Sequence, residues 1–549
     1  MGVCAPNPFA ACLEVKQPEG SPPVSFLVNN DLRPLPRIHR TWGWIVWLTF
    51  WLSASSSVTS WQSVAAGVAE GLTAWESLLA LFGGRVVGEV FIIANGRPGA
   101  VYHIPMPALL RTSWGVYGAW WPVLNRTAMT IIFMGIGVVQ GGFCVYVTLH
   151  AVSPGIANLP LKIQQQEGIT TGQFVGIVLF WLLMLATKCT PVPKLKWAIF
   201  TKVVVFFASA FAMVGWFVTL AGGIGHMWDA SSDVRGSDRR WLIVRFFFLN
   251  ISNQATFMMN AADWQRFSRT PSDSIIPQLV GGMLAHSLVP LIGGFVASAG
   301  ASMFGEPRWN PVLLLDQILS ENYTPGTRAA CFLLGAAFTY STLISVVLQN
   351  ALPAGYDLAG LFPKYVNYQR GTLICGLLCM AICPWRLLKS AGVFVSFLEN
   401  FPIFLSAFIG IIFSHYYLLD RGHIEIEDLF MASKEGSYYY CHGVNMRAVA
   451  AYVAGTGACA YGFTSAIGIP ASLETTRLYY FSFFIGFFSA ALVYTVVANF
   501  FPVTNQVPIN KKAWHESKDY SAPEDIEVHS ISRKLTVDEK DRTKACTIT

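Results

Sequence analysis

The sequence predicts an all-α polytopic membrane protein with about twelve transmembrane helices, and three observations support this fold class. Of its 549 residues, 53% are hydrophobic and only 12% are charged, whereas soluble domains carry roughly 25% charged residues. The apolar residues form runs of about 20, the length of a helix that crosses a hydrocarbon core about 30 Å thick. Lysine and arginine are concentrated in the short segments between these runs. An ordinary soluble enzyme is therefore excluded.

The charge balance and the cysteines narrow the choice of partners. The net charge of +6, from 37 basic and 31 acidic residues, is too small to indicate a nucleic-acid partner. Eleven cysteines occur without CxxC pairs, so the sequence indicates neither a disulfide framework nor a zinc site. Motifs of catalysis such as HExxH and GxSxG are absent. We expect no cofactor, no nucleic acid and contact with membrane lipid.

Twelve candidate spans follow from the apolar runs. They form two sets of five, within 43–222 and 241–418, and an accessory pair within 448–501, between an amino-terminal tail, 1–42, and a charged tail, 502–549, that we expect to be disordered. The spans lie near 43–68, 73–94, 115–151, 173–190, 195–222, 241–262, 276–303, 328–353, 371–383, 391–418, 448–467 and 478–501.

The basic residues predict the orientation. Arg33, Arg37 and Arg40 precede the first span, and most later basic clusters follow even-numbered spans, so these segments should be cytosolic. An even number of spans then places both termini in the cytosol. Lysines of the carboxy-terminal tail could serve trafficking machinery, although a solvated tail is the simpler interpretation.

Span 1 is unusually rich in hydroxyl groups. Seven serine and threonine side chains lie between Trp51 and Ser63, including Ser53 and Ser56, and they are distributed on every face of a helix. Such side chains can satisfy backbone groups that are freed where a helix breaks. The pattern predicts an interrupted helix beside a wet cavity, and close packing of small residues between helices is the alternative.

Span 6 carries several amides, among them Asn253 and Gln254. Unpaired amides in a bilayer would cost several kcal/mol, so they must meet a ligand, water or one another. Spans 1 and 6 open two consecutive sets of five spans. Two polar-interrupted helices in corresponding positions are typical of a transporter built from inverted repeats, with its substrate site near the midplane.

Span 8 adds Ser341 and Ser345 on one helical face, followed by Asn350 and a predicted turn at 353–355. A cation site and a substrate contact could share this helix. Bonding of the hydroxyls to the helix backbone explains the serines equally well.

Acidic side chains inside spans are costly and therefore informative. Glu399 in span 10 could carry a coupling proton or face a cationic solute, or it could pair with Ser396 or a facing helix. Asp263 at the end of span 6 lies beside Arg266 in sequence, which indicates a gate or an anchoring pair. Glu89 follows Arg85 by four residues, the spacing of an ion pair within one helix.

Four long motifs carry a resemblance to a known family. Together they resemble the nucleobase:cation symporter-1 family, in its fungal uracil and allantoin permease branch, over about residues 30–501. The resemblance implies a leucine-transporter-like core of two inverted five-helix repeats plus two extra helices. The motifs are the Asn30–Pro36 segment NDLRPLP with Arg40–Trp42, SWGVYGAWWPVLNR at Ser113–Arg126, NAADWQRF at Asn260–Phe267, and NALPAGYDLAGLFPKYVNYQRG at Asn350–Gly371.

The resemblance also implies a substrate site, with departures. The stacking aromatic of span 3 falls at Phe133, and the glutamine expected four residues later is Gly137. The second stacking aromatic falls at Gln254, preceded by Asn253, and the substrate-binding asparagine is retained as Asn350. We expect the wide glycine to make room for a solute larger than uracil.

The family's sodium ligands fall at five positions of spans 1 and 8, and Ile344 has no side-chain oxygen to offer. This depleted set resembles that of proton-coupled fungal members, so we expect protons rather than sodium to drive transport. The positions are Ser53, Ser56, Ser341, Ile344 and Ser345.

The resemblance thus implies a plasma-membrane symporter that imports a heterocyclic solute of nucleobase, nucleoside or vitamin type. Thiamine, nicotinamide riboside, uridine, uracil and allantoin are the candidates. A transport-incompetent nutrient sensor with the same fold and a sodium-coupled symporter are the alternatives. Homo-oligomer formation is compatible with either class.

Overall fold

The computed structural model describes residues 14–15, 25–160, 168–187, 195–230, 232, 234–305, 310–466, 472–502 and 513–516. Within these ranges the regular structure is helical throughout, and the two β-bridges are isolated. The predicted all-α fold class is confirmed. The predicted disorder of 502–549 concerns residues that lie, apart from 502 and 513–516, outside the described ranges.

The helices follow one another along the chain with short connections. The first set is α1 (Trp44–Ser55), α2 (Val58–Trp61), α3 (Ser63–Ala69), α4 (Ala74–Tyr102), α5 (Met106–Trp114), α6 (Trp120–Val152), α7 (Thr171–Ala186) and α8 (Leu195–Ala221). The second set is α9 (Gly236–Ser252), α10 (Ala255–Gln265), α11 (Ile275–Phe304), α12 (Pro311–Glu321), α13 (Pro325–Val346), α14 (Leu352–Leu361), α15 (Tyr368–Ala381), α16 (Ala391–Asn400) and α17 (Pro402–Phe413). The last helices are α18 (Met446–Ala466), α19 (Leu473–Tyr479) and α20 (Ser482–Phe500).

Both predicted helix interruptions are present. Helix α1 ends at Ser55, and the chain resumes at Val58 after Ser57, which is extended with φ −142° and ψ 154°. The Ser57 hydroxyl accepts a hydrogen bond from Ser60 N at 3.2 Å, which caps the new helix. The second interruption separates α9 from α10 at Asn253 and Gln254. The serine-rich segment thus supplies the cap that a broken helix requires.

The predicted turn at 353–355 is wrong. Helix α13 passes through a π-helical segment, Val347–Ala351, directly into α14, and Pro353 lies in the first turn of α14. Proline has no N–H and cannot make the helical hydrogen bond at this position of a continuous helix, and the π-helical segment lies directly before it. π-Helical segments inside α-helices frequently mark functional sites.

Among the described residues, seven helices are long and apolar enough to cross a membrane by length and composition. Two shorter apolar helices, Trp44–Ser55 and Thr171–Ala186, accompany them. The other predicted spans correspond to helices that are broken, short or less apolar. The chain is a multi-pass membrane protein, and the division of its helices into the ranges 43–222, 241–418 and 448–501 stays a prediction.

Candidate functional site

A cavity of about 120 Å³ lies in the middle of the helix bundle. Its wall is formed by the break after α1, by α4, α6 and α11, by the segment from Asn253 through α10, and by the end of α13 with the π-helical segment. Both helix interruptions therefore open onto the same space. Interrupted helices expose polar groups that a solute can use, so this cavity is the candidate solute site.

Phe133 on α6 forms an aromatic part of the wall. Its ring centroid lies 5.5 Å from that of Phe397 and 5.3 Å from that of Phe401, and both contacts are edge-on. The two rings hold Phe133 in place on the cavity wall, where a planar solute could stack on it. The stacking role predicted for Phe133 stays a prediction.

A second aromatic ring, Phe257 on α10, was missed by the sequence reasoning. It lines the cavity and packs against Trp51, with centroids 6.0 Å apart. Helical spacing could have found it, because residues at i, i+3, i+4 and i+7 share one helix face. The residues at that spacing that line the cavity are Asn253, Thr256, Phe257 and Asn260.

The side chain of Gln254 does not lie on the cavity wall. It is buried against α4, where its Nε2 donates to the carbonyl oxygen of Arg85 at 3.2 Å. A Cβ atom on Gly88 would lie 2.0 Å from this Nε2, so the absence of a side chain at Gly88 makes room for the amide. The predicted contact between Gln254 and the solute is therefore replaced by a bond between helices.

Gly137 lines the cavity but does not enlarge it. A Cβ atom at this position would lie 2.5 Å from Cγ2 of Val346, so the Val346 side chain already fills the space beside the glycine. The expectation that Gly137 makes room for a larger solute is wrong for this reason. An engineered cavity of roughly 150 Å³ holds one benzene ring, so the observed volume suits a compact solute.

Asn350 lies on the cavity wall within the π-helical segment. The neighbouring Gln349 donates from Nε2 to the carbonyl oxygen of Ala54 at 2.5 Å. This bond connects the π-helical segment to the last turn of α1, next to the interruption. Asn350 is thus available to a solute while Gln349 holds the two interrupted elements together.

A buried ion pair lies beside the cavity. Arg126 on α6 pairs with Asp357 on α14, and both side chains are at most 2% exposed. When the amide of Asn260 is oriented with its oxygen towards Arg126, that oxygen accepts from Nη2 at 2.6 Å. The Arg126 charge is therefore neutralised by the protein itself.

Arg85 and His286 also line the cavity, and the sequence reasoning assigned neither to a site. The Nδ1 atom of His286 lies 2.9 Å from the carbonyl oxygen of Gly282 on the same helix. Arg85 is 7% exposed, and its buried Nε makes no hydrogen bond with any described residue. The expected ion pair between Arg85 and Glu89 is not formed within 4.0 Å.

The predicted cation site contains a lysine. Lys202 on α8 is fully buried, and its Nζ donates to the carbonyl oxygen of Ser53 and to the Ser345 hydroxyl, the latter at 2.7 Å. Ser345 also lines the cavity. The ammonium group thus joins the end of α1 to α13 at the predicted cation or proton site, directly beside the candidate solute site.

Comparisons with known proteins agree with this architecture. Residues 34–486 match the family model described as a permease for cytosine/purines, uracil, thiamine and allantoin. The chain belongs to the nucleobase:cation symporter-1 family. It is a secondary transporter of this family, and its relatives are permeases rather than enzymes.

Among the relatives of this permease are three from Saccharomyces cerevisiae. An allantoin permease is 32% identical, with 90% of this chain and 80% of the relative covered. A uridine permease is 32% identical with 90% and 78% covered, and a uracil permease is 31% identical with 90% and 79% covered.

A solved structure shares the fold of the permease. Mhp1, a nucleobase-cation-symport-1 family transporter in a closed conformation with bromovinylhydantoin bound, matches with a TM-score of 0.68 at 17% identity. The match covers 86% of this chain and 97% of Mhp1. The predicted leucine-transporter-like arrangement of the permease is confirmed at the level of the fold.

Two further serines of the predicted cation site make no contact with the ammonium. The Ser56 hydroxyl donates to the carbonyl oxygen of Leu52 at 2.6 Å, within its own helix turn. The Ser341 hydroxyl is buried and makes no hydrogen bond with the described residues, and the same holds for the Ser53 hydroxyl. Ser53 thus contributes its backbone carbonyl.

Glu399 lies away from the cavity in a charge cluster. Arg245 on α9 donates to both oxygens of Glu399, at 2.5 Å and 3.0 Å, and from Nη1 to Glu70 at 3.2 Å. Of the alternatives for Glu399, pairing with a facing helix is the one observed. The cluster connects α16, α9 and the end of α3.

Asp263 does not pair with Arg266. Its Oδ1 accepts from the backbone N of Met106 at 2.7 Å, at the start of α5. Arg266 instead donates to the carbonyl oxygen of Asp31 at 2.9 Å and lies over the ring of Tyr356. The acid therefore anchors a helix start, and its predicted role as a gate stays a prediction.

Proposed function

We propose that this permease is a proton-coupled symporter that imports a heterocyclic solute by alternating access. The family description and the cavity between two interrupted helices support the transport part of this proposal. The relatives named for allantoin, uridine and uracil support a planar, hydrogen-bonding cargo. Phe133 would stack on the ring, and Asn253 and Asn350 would bond its polar edge.

The observation that carries the proton coupling is the position of Lys202. Its ammonium group bonds the Ser53 carbonyl and the Ser345 hydroxyl, which are oxygens of the kind that sodium ligands provide. A lysine can release its proton, whereas an arginine in a protein cannot. The charge at this position can therefore be loaded and discharged by a proton without a metal ion.

The contacts suggest how the proton and the solute are coupled. A protonated Lys202 bridges α1 and α13, and Ser345 lies both at the ammonium and on the cavity wall. Loss of the proton would remove the charge that strengthens these two hydrogen bonds and so weaken the connection between the end of α1 and α13. If the solute and the proton both bind more tightly to the same arrangement of these helices, binding of one raises the affinity for the other. The proton and the solute would then be transported together.

We further propose that the permease acts in the plasma membrane with both termini in the cytosol. Arg33, Arg37 and Arg40 support this orientation. Epitope tags at the two termini should be protected from a protease added to intact cells and should be cleaved once the cells are opened. Cleavage of both tags in intact cells would contradict this orientation.

Uptake of radiolabelled solutes by cells that lack endogenous carriers tests the function. We expect saturable accumulation of at least one compound from a panel of uracil, allantoin, uridine, thiamine and nicotinamide riboside. A protonophore should abolish the accumulation, and replacement of sodium by choline should not change it. Binding without accumulation would instead support the sensor, and strict dependence on sodium would contradict proton coupling.

A further inference from the structure

We propose that the cavity selects a compact solute that carries a negative charge, and that Arg85 is the residue that binds this charge. The inference rests on the proposed transport function, because it concerns the substrate class of the same cavity. It disfavours the cationic vitamins thiamine and nicotinamide riboside as transported solutes.

Arg85 carries a buried charge. Its side chain lies on the cavity wall and only 7% of the residue is exposed. No described carboxylate lies within 4.0 Å of its guanidinium nitrogens, and the buried Nε makes no hydrogen bond with any described residue. A buried charge without a partner is unfavourable. Arg85 thus lines the cavity with a guanidinium whose Nε donor is not used by the described residues.

The acid one turn along α4 does not compensate this charge by contact. Glu89 is fully buried and does not line the cavity. Its Oε2 accepts from Gln278 Nε2 at 3.3 Å, and its Oε1 lies 3.6 Å from Nδ1 of His286. Glu89 is thus directed towards α11, and its attraction for Arg85 acts without a hydrogen bond.

The other ionisable groups on the wall point to the same sign of charge. Those that line the cavity are Arg85, Arg126 and His286, and no aspartate or glutamate of the described ranges lines it. Arg126 already has Asp357 as its partner. The cavity wall therefore presents one positive charge that has no ion-pair partner within 4.0 Å among the described residues, and such a charge disfavours a cation and favours an anion.

The form of the guanidinium and the size of the cavity define the solute further. A guanidinium presents parallel donors that match a carboxylate or a similar planar anion with two bonds. The volume of about 120 Å³ suits a single ring rather than a nucleoside. We therefore infer a small heteroaromatic anion, whose ring lies between Phe133 and Phe257 and whose charged edge meets Arg85.

Ring-matched pairs of solutes test this inference by binding to the purified full-length permease in detergent at pH 7. The pairs are nicotinate with nicotinamide and orotate with uracil, and thiamine serves as the cation. We expect each anion to bind about tenfold or more tightly than its neutral partner, which is the size of effect of a charge-assisted bond. Thiamine should not bind measurably at the same concentrations.

Variants assign the preference to Arg85. Arg85→Gln should remove the preference for the anions, and Arg85→Lys, which keeps the charge but not the two parallel donors, should retain part of it. Arg240→Gln removes an exposed arginine and should leave the preference unchanged. If Arg85→Gln does not yield a folded protein, the wild-type pairs and Arg85→Lys carry the test.

Equal or tighter binding of the neutral partners would overturn the inference, as would failure of both anions to bind or an unchanged preference in Arg85→Gln. Binding is measured without transport, so the two proposals fail separately. Anion binding without proton-driven uptake would contradict the proposed function alone. Proton-driven uptake of uracil without any preference for orotate would contradict the inference alone.

Discussion

Lys202 and Arg85 are both buried positively charged side chains near the cavity, and their surroundings differ. Lys202 is fully buried and donates to a backbone carbonyl and a hydroxyl. Arg85, on the cavity wall, makes no hydrogen bond through its buried Nε with the described residues. The predicted cation site thus contains a hydrogen-bonded charge that belongs to the chain, whereas the candidate solute site contains a charge without an ion-pair partner within 4.0 Å among the described residues.

The chemistry of the two side chains matches this difference. A lysine can exchange its proton, so the Lys202 position suits a switch, whereas an arginine keeps its charge and suits selection. Ser345 touches the ammonium and also lines the cavity. The two positions are therefore connected through one side chain, and variants of Lys202 and Arg85 should separate their roles.

The largest effect is expected for Lys202. Lys202→Met removes the ammonium, and Lys202→Arg fixes a charge that cannot be released. Both should lower accumulation by roughly 100-fold or more, because neither side chain can take up and release a proton, and each hydrogen bond from a charged donor contributes about 1.5–3 kcal/mol. Lys196→Met, at an exposed position of the same helix, is the matched control. Accumulation at the wild-type level in both Lys202 variants would show that Lys202 does not carry the coupling proton.

The next effect concerns the neutral part of the solute site. Asn350→Ala should raise the KM for uptake about tenfold or more, because a solute donor or acceptor loses its partner in a buried site. Surface expression should stay normal, and Asn499→Ala at an exposed position provides the control. An unchanged KM would show that Asn350 does not contact the solute, and recognition would then depend on Arg85 and the aromatic rings.

A smaller effect is expected where the cavity is limited by Val346. Val346→Ala opens the space beside Gly137 and should shift the uridine to uracil uptake ratio towards uridine by roughly tenfold, the effect of about one methylene group. Val496→Ala, on the exposed face of α20, should leave the ratio unchanged. A ratio that stays constant in Val346→Ala would mean that another residue limits the size of the solute.

The smallest effect is expected outside the central region, at the cluster of Glu399 and Arg245. Glu399→Gln should lower the Tm by only about 1–3 °C, because ion pairs that reach solvent contribute little. Both side chains are about one-fifth exposed. Solute affinity should not change, and Glu427→Gln at the surface is the control. A complete loss of solute binding in Glu399→Gln would show that Glu399 contributes to solute binding.

The sequence predicted the features that depend on spacing along one helix. The serines around Ser57 and the amides around Asn253 correctly indicated two interrupted helices, because these side chains are suited to caps and to exposed backbone. The helices that carry Phe133 and Asn350 also border the cavity. In each case a local pattern determines the result.

Features that depend on the distance between helices could not be predicted in this way. Arg85 was assigned to Glu89 because the two are four residues apart, but Glu89 bonds Gln278 on another helix. The space beside Gly137 is filled by Val346, which lies more than 200 positions away in the chain. Lys202 lies near the start of an apolar run, where a lysine ordinarily reaches the interface, and only the packing of α8 brings it to Ser345.

The most direct test measures proton movement with the permease in sodium-free proteoliposomes. The experiment uses the panel solute that is taken up best and an acidic exterior. Uptake by the wild type should acidify the interior of the vesicles. Lys202→Met should show neither accumulation of the solute nor acidification. Uptake that requires sodium and moves no protons would contradict the central claim that a titratable lysine takes the place of the cation.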